Sequence, residues 1–536
     1  MTGTHRQIAW WLAASILFFH MVFYNGGYVM TTNVHLLMTR SIVEDRDIDI
    51  RNNCAAPLHE YQSAVRQYRG NAYSKFPPGR GLIALGLYAP LYAGAQLFDL
   101  MAGQGFDAND IPWDWVIKNV ATITNILATA LAAALVYLSV VYAKRSTTAG
   151  LFAGLVYGLA SAMFSFTRSV QVEPVAALCV AGAVWCMLHP RHDTRSGYHV
   201  GAYALLGLGC TISPQLVVVY GAFILFDIVE TRWARLLQAL GVGAVVTSVF
   251  LVHNYVRFQR LLDFGYSAGE ERHGIVALGA AAGAVLLCMG LRRTMDRRRM
   301  WTLCAAAAVL VFCAAVVYRP WMAYGYFISP THGIFVYSPA LLLVGPGLWY
   351  FRQHDRMRAL QLGIVMLLYC AFCVYHGMDK SFILTRYAAP VFPVFALAAG
   401  LSLDRIVRVR IPWMLAGLGF IMQMLISVNN IYNATFWTHA GSATGIPPVP
   451  HRFGVQYTLL WYKFTQLWRY LAEVPAFFVH PSRFEGSYFF NHYWFVVYRQ
   501  ELPDVLILAV LAALVPACIM STVLLVRTSR VLRTVR

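Results

Sequence analysis

Apolar runs of roughly twenty residues recur along the chain, separated by short polar loops. A bilayer core of about 30 Å takes roughly 20 helical residues. Runs near 8–30, 116–142, 147–166, 171–189, 198–213, 214–229 and 235–255 therefore predict membrane-spanning helices. So do 274–291, 300–318, 334–351, 359–376, 388–404, 411–430 and 505–526. The pattern predicts an all-α polytopic membrane protein with about 12–14 transmembrane helices. The first run has no small-residue cleavage site and reads as an anchor.

Basic residues sit in the short loops: "AKRS" near 144, "PRHDTR" at 190–195, "ETRWAR" at 230–235, "RRTMDRRR" at 292–299, "RQHDRMR" at 352–358 and "RIVRVR" at 405–410. Lys and Arg concentrate on the cytoplasmic side of membrane proteins. Their spacing places all these loops, with the tail "RTSRVLRTVR", on that side. The apolar run 81–104 breaks the parity if it crosses, and the connector after it carries Asp107, Asp110 and Asp114 without Lys or Arg. It is expected to be re-entrant or interfacial on the outer side, bent near Pro90; such backbone needs protein or water to cover it. Two long outer loops remain, at about 31–80 and 431–503. In the second, Val455, Leu459, Leu460, Phe464, Leu467, Trp468 and Leu471 recur at helical spacing and predict an interfacial helix. "HEYQSAVRQYRG" at 59–70 predicts another in the first. The layout is thus a membrane module over 1–430, an aromatic outer loop over 431–503, and a last span with a basic tail over 504–536.

Composition agrees with the pattern. Of 536 residues, 59% are hydrophobic and 12% charged, against roughly 25% charged in soluble proteins. The net charge is +18, which the loop distribution explains without a nucleic-acid partner. The cysteines lie mostly in apolar runs, with Cys54 the main loop one, so neither a disulfide frame nor a CxxC metal pair is expected; the one CxxC spacing, Cys370 to Cys373, falls inside the apolar run 359–376.

The outer side nevertheless carries Arg66, Arg69, Lys75, Arg80, Arg257, Arg260, Lys380 and Arg386 close to the membrane, against the bias. An anion there, such as a lipid phosphate, would account for them; Arg suits bidentate phosphate contacts and Lys acts as a point charge. The first outer loop also holds Glu44, Asp45, Asp47, Asp49 and Glu60. A carboxylate can act as general base, and a cation can stabilise a departing phosphate. A salt-bridged solvated loop would show the same charge pattern. Arg168 and Glu173 interrupt an apolar stretch, where ionisable residues mark functional candidates or pair with each other. Asn254 and His332 lie at outer junctions, His332 between two Ser-Pro turns. Loop carboxylates with phosphate oxygens can hold a divalent metal, but no motif demands one.

Several stretches together resemble a known family. "TRSIVEDRDIDI" (39–50), "YSKFPPG" (73–79), "RSVQVEPVAAL" (168–178), "NYVRFQRLLDFGY" (254–266), "SPTHGIFVYSPALLL" (329–343) and "SFILTRYAAPVFP" (381–393) are similar to segments of bacterial C-type glycosyltransferases. That superfamily includes lipid A aminoarabinose transferases and protein O-mannosyltransferases. The resemblance covers residues 39 to about 393 and implies a GT-C-like helical bundle in a bacterial inner membrane, with its site facing the periplasm. It implies transfer of a sugar, arabinofuranose- or mannose-type, from a polyprenyl-phosphate carrier to a hydroxyl on a protein, lipid or glycan.

Residue by residue, Lys75 matches the lysine before the proline pair, expected at the carrier phosphate, and Arg386 matches a second phosphate or sugar contact. Arg80 and Arg257 join them as candidate phosphate ligands. Glu173 matches the glutamate of an "SEP" motif and, with Tyr73, Asn254 and His332, is assigned to the substrate pocket. Glu44 matches the glutamate near the start of the first loop. Thr31-Thr32-Asn33 stands where an acid is usual after the first span, and Ser74 where one precedes the lysine. The base therefore stays open among Glu44, Asp45, Asp47 and Glu60. A transporter or flippase for an anionic lipid-linked glycan is the alternative. It would line both leaflets with charge and often show an inverted repeat, and neither is evident here.

Overall fold

A computed structural model describes residues 3–23, 33–53, 65–102, 111, 113–144, 146–168, 171–188, 197–261, 290–291, 294–329, 333–376, 385–403, 410–428 and 504–534. Among the described residues the structure is all-α apart from one hairpin. The helices are α1 (Gly3–Val22), α2 (Asn33–Arg40), α3 (Gly79–Ala102), α4 (Trp113–Lys144), α5 (Thr147–Leu159), α6 (Met163–Thr167) and α7 (Glu173–Leu188). Then come α8 (Tyr198–Ile212), α9 (Val217–Val229), α10 (Trp233–Phe258), α11 (Arg297–Tyr318), α12 (Pro320–Phe327) and α13 (Ile334–Tyr337). The last are α14 (Val344–His354), α15 (Arg356–His376), α16 (Thr385–Ala388), α17 (Phe392–Leu401), α18 (Ile411–Val428) and α19 (Asp504–Thr534). Among the described residues six helices are long and apolar enough to cross a membrane, and six shorter apolar helices accompany them.

Close packing of α1, α4 and α5 is written in "GLFAGLVYG". Gly150, Gly154 and Gly158 recur every four residues, so they form one stripe along α5. A Cβ on Gly154 would stand 2.6 Å from Leu12, and one on Gly158 2.6 Å from Ile16, both of α1. On Gly150 it would meet Tyr137 and Val141 of α4 at 2.8 Å. Lipid tails are as apolar as leucine, so association in a bilayer relies on such small-residue contacts. α19 packs along α1, and α17 against α4 and α5.

The two ends of the bundle differ. At one end Lys144 donates to the Leu401 carbonyl. His5 meets the Tyr137 hydroxyl at 3.0 Å, about two helical turns before Lys144 on α4. Glu230 collects Arg232 at 3.2 Å and the Trp301 indole at 3.2 Å, together with Arg297. These are the basic loops. At the other end lie the finish of α1, where Arg168 donates to the Phe23 carbonyl at 2.9 Å, and the starts of α4 and α7.

The described part of the 81–104 segment lies in a single helix, α3, with Pro90 inside it. Length and composition suffice for it to cross. Its contacts run otherwise: Arg80 reaches Ala121, while Tyr88 and Tyr92 pack on Trp113, at 5.7 and 4.9 Å between ring centroids. α3 therefore runs along the first third of α4, away from Lys144. α4 has 32 residues, about 48 Å of helix, so it exceeds the bilayer core and gives α3 a wall to pack on.

The first outer loop departs from expectation. Residues 65–74 form an antiparallel hairpin, β1 (Val65–Tyr68) and β2 (Asn71–Ser74), with Arg66 opposite Tyr73. The interfacial helix expected over 59–70 is therefore replaced by a strand over its described part. Arg69 and Gly70 both have positive φ, 51° and 89°, as two-residue hairpin turns require. The helix expected over 455–474, and the whole 431–503 loop, lie outside the described residues. The expected spans 334–351 and 388–404 are each broken by a short 3-10 turn, Pro339–Leu343 and Ala389–Val391. Pro339 opens the first turn and Pro390 is the second residue of the other, and neither can donate a backbone hydrogen bond to the preceding turn.

Gly79 seats the proline loop. A Cβ there would lie 2.6 Å from the Thr211 carbonyl carbon at the end of α8. Backbone cannot yield as a side-chain tip does. Gly79→Ala is expected to lower stability by about 1–3 kcal/mol, read as a reduced Tm of the detergent-solubilised protein.

Candidate functional site

Three polar clusters meet at the first half of α3. The first holds the acidic turn. After α2 the chain makes a π-helical turn, Ser41–Asp45, closed by Arg46 at φ 60°. Arg40 grips Glu44 with two bonds, Nε to Oε1 at 2.8 Å and Nη2 to Oε2 at 2.9 Å. The buried Tyr88 hydroxyl of α3 also donates to Glu44 Oε1. Glu44 thus clamps the turn to α3, and Thr39 adds a 2.9 Å bond to the Gly81 carbonyl. Asp45 is exposed, and its Oδ2 accepts from Asn53 Nδ2 at 2.7 Å. The buried Asn53 also donates to Ser41 Oγ at 3.1 Å, which fixes it. Asp49 accepts the Ala72 amide at 2.9 Å and ties the turn to the hairpin. Exposed Asp47 accepts the Asp49 amide at 3.0 Å. Desolvation raises its carboxyl pKa from the ordinary value; the Asp49 amide opposes this, and the Asp45 and Asp49 charges add to it.

The second cluster surrounds Lys75. Arg257, buried at the end of α10, donates to the Ser74 carbonyl and, at 2.6 Å, to Asn254 Oδ1. Its guanidinium lies 4.7 Å from the Phe258 ring centroid, and that of Arg66 lies 5.0 Å from it. Tyr73 meets the same ring edge-on at 5.9 Å. Arg257, Asn254 and Tyr73 thus hold the strand that delivers Lys75. Lys75 itself is half-buried, between Ser74 and a Phe76 amide that donates to Ser74 Oγ at 3.2 Å.

The third cluster is the most enclosed. Arg80 is 1% exposed and donates through Nη2 to the Ala121 carbonyl at 2.7 Å. Glu173, 4% exposed at the start of α7, accepts from Arg386 Nε at 2.6 Å. Ala121 lies one helical turn before Asn125, whose amide donates at 2.6 Å to the Gln171 carbonyl, two residues before Glu173. Chain segments 93 and 213 residues apart (80 to 173 to 386) therefore converge. Arg168, which sequence spacing offered as a partner for Glu173, instead bonds Phe23 and lies 4.4 Å from the Phe164 ring centroid.

Glu60 and His332 lie outside the described residues. Two participants were missed in the sequence. Arg40 stands four residues before Glu44, a helical ion-pair spacing that was legible. Tyr88 is a lone tyrosine in an apolar helix and gave no signal. Among the described residues no group of three or more His, Cys, Asp and Glu side chains comes together to hold a metal ion.

Residues 117–255, from α4 into α10, match the family model of dolichyl-phosphate-mannose-protein mannosyltransferases. The C-type glycosyltransferase resemblance is borne out over this stretch. No curated protein matches the chain. Among solved structures, the archaeal oligosaccharyltransferase AglB from Archaeoglobus fulgidus, in complex with an inhibitory peptide and a dolichol-phosphate, is 14% identical with TM-score 0.49. That match covers 84% of this chain and 61% of that one, so this chain spans less than two thirds of its length. ArnT from Cupriavidus metallidurans bound to undecaprenyl phosphate is 17% identical with TM-score 0.39, covering 83% of this chain and 66% of that one.

Proposed function

We propose that the protein is an integral membrane glycosyltransferase. It moves a sugar from a polyprenyl-phosphate carrier to a hydroxyl on a protein, lipid or envelope glycan, at the periplasmic face of a bacterial inner membrane. The carrying observation is the pairing of buried Glu173 with Arg386, with Arg80 anchored nearby, at the bundle end opposite the basic loops. The mannosyltransferase family match over α4–α10 supports the same reading.

In this mechanism the carrier phosphate lies against Lys75 and Arg386. As the sugar–phosphate bond breaks, negative charge grows on the phosphate, and cations held in a water-poor site stabilise it. A first-loop carboxylate takes the acceptor proton as the hydroxyl attacks the anomeric carbon. One displacement inverts that carbon. Of the described acids, Asp45 is the one we assign as base. Glu44 is occupied by Arg40 and Tyr88, and Asp49 by backbone amides, whereas Asp45 is exposed and oriented by Asn53.

The test is reconstitution of the full chain in nanodiscs with radiolabelled polyprenyl-phosphate mannose or arabinofuranose and an envelope fraction as acceptor. Release of polyprenyl phosphate with label appearing in the acceptor is expected from one donor. In parallel proteoliposomes, movement of intact donor between leaflets without release would favour a flippase and overturn this assignment.

A further inference from the structure

We infer that Arg80 is a positioning residue that governs the grip of Arg386 on the carrier phosphate, acting through Glu173. The inference rests on the reading that Arg386 takes that phosphate. Glu173 is a single carboxylate bonded to Arg386, and Arg80 is anchored nearby: it bonds Ala121, one helical turn before Asn125, whose amide donates at 2.6 Å to the Gln171 carbonyl two residues before Glu173. Its Oε1 is bonded to Arg386, and its buried Oε2 has no hydrogen-bond partner among the described residues. Arg80 makes one bond, to Ala121, and its buried Nε and Nη1 have none among them. Spare donors and a spare acceptor therefore belong to neighbouring buried groups of opposite charge. A carboxylate can accept several bonds at once, so Glu173 has capacity for both arginines.

The three members differ in freedom. Arg80 and Glu173 are buried, whereas the Arg386 side chain is 25% exposed. Arg386 also sits on α16, a single helical turn that leads into the 3-10 turn at Ala389. An anion arriving at the open side draws Arg386 first. A Glu173 abandoned by Arg386 would be a buried unpaired charge, which is strongly unfavourable. The two spare donors of Arg80 meet that demand: Glu173 turns to Arg80 as Arg386 turns to the phosphate. Arg80 thus lowers the cost of releasing Arg386 without touching the ligand. The exchange also keeps the enclosed cluster at one net positive charge before the anion binds and neutral for a phosphodiester afterwards.

The experiment measures binding of fluorescent polyprenyl phosphate to the full chain in nanodiscs, for wild type, Arg80→Met, Glu173→Gln and the double variant. Arg80→Met is expected to weaken binding about tenfold, the loss of one buried charge-assisted contact. In the Glu173→Gln background, where Arg386 is already released, Arg80→Met should change binding by less than about twofold. Equal effects in both backgrounds would overturn the exchange, as would no effect in either. Thermal unfolding checks that each variant is folded. If Arg80→Met is not, Arg80→Lys keeps the charge and loses the fork, and its smaller effect must likewise vanish with Glu173→Gln. Failure of the wild type to bind polyprenyl phosphate would overturn the functional reading and this inference together. Binding without coupling would overturn only the inference.

Discussion

Lys75→Met is expected to lower the proposed sugar transfer roughly 10²–10³-fold, the usual consequence of removing one stabilising contact to charge that develops in the transition state. The backbone around Lys75 is fixed from several sides. Arg257 holds the Ser74 carbonyl, Tyr73 packs on Phe258, and Pro77-Pro78 leads into α3, whose Gly79 abuts Thr211. The side chain is half-buried at the mouth of this frame. Its removal therefore deletes a charge without loosening the support beneath it, and the variant should unfold near the wild-type temperature. Lys75→Arg should recover part of the rate, because a planar fork replaces a point charge in a site shaped for the latter. Initial rates at saturating donor report the effect on the chemical step. Wild-type turnover by Lys75→Met would remove this residue from the mechanism and leave Arg386 as its main cation.

Arg257 shows how a charge count leaves a residue's contacts open. In the sequence it is one more cation against the positive-inside bias, grouped with Lys75 and Arg386 as a phosphate ligand. In the fold its guanidinium reaches Ser74 and Asn254 and lies near Phe258. A buried arginine must satisfy its donors locally, and nothing in "NYVRFQR" says whether lipid phosphate or protein carbonyl will do so. The long apolar runs were legible because membrane helices must satisfy their backbone internally, and length alone then gives α4, α10, α11 and α15. The hairpin was not: "VRQYRGNAYS" is mixed in polarity, and its decisive feature is the positive φ at Arg69-Gly70. The Glu173–Arg386 pair was half legible. Each residue stood out alone as an ion near an apolar run, but their meeting depends on packing between α7 and the Ala389 turn, which no local pattern encodes.

The acids separate by experiment along the lines their hydrogen bonds draw. Asp45→Asn is expected to reduce transfer by about 10²–10⁴-fold, the range for loss of a general base. The amide is nearly isosteric and, turned with its oxygen inward, still accepts from Asn53, so little stability should be lost. Glu44→Gln should behave in the opposite way. Glu44 receives two bonds from Arg40 and one from Tyr88, and neutralising it weakens a charge-assisted clamp, worth about 1.5–3 kcal/mol for such a bond. The partners are only partly buried, with side-chain exposures of 15% and 14%, so solvent screening reduces that figure. Its signature is a lowered Tm with transfer reduced in proportion to the folded fraction. The pH profile discriminates further. A carboxylate base is active when deprotonated, so transfer by the wild type should fall on acidification as the base protonates, and Asp45→Asn should leave a residual rate without that acidic limb. If instead Glu44→Gln removes the limb at unchanged Tm while Asp45→Asn keeps it, the clamp and the base exchange places. Asn53 would then be orienting an acid that takes no part in the proton transfer.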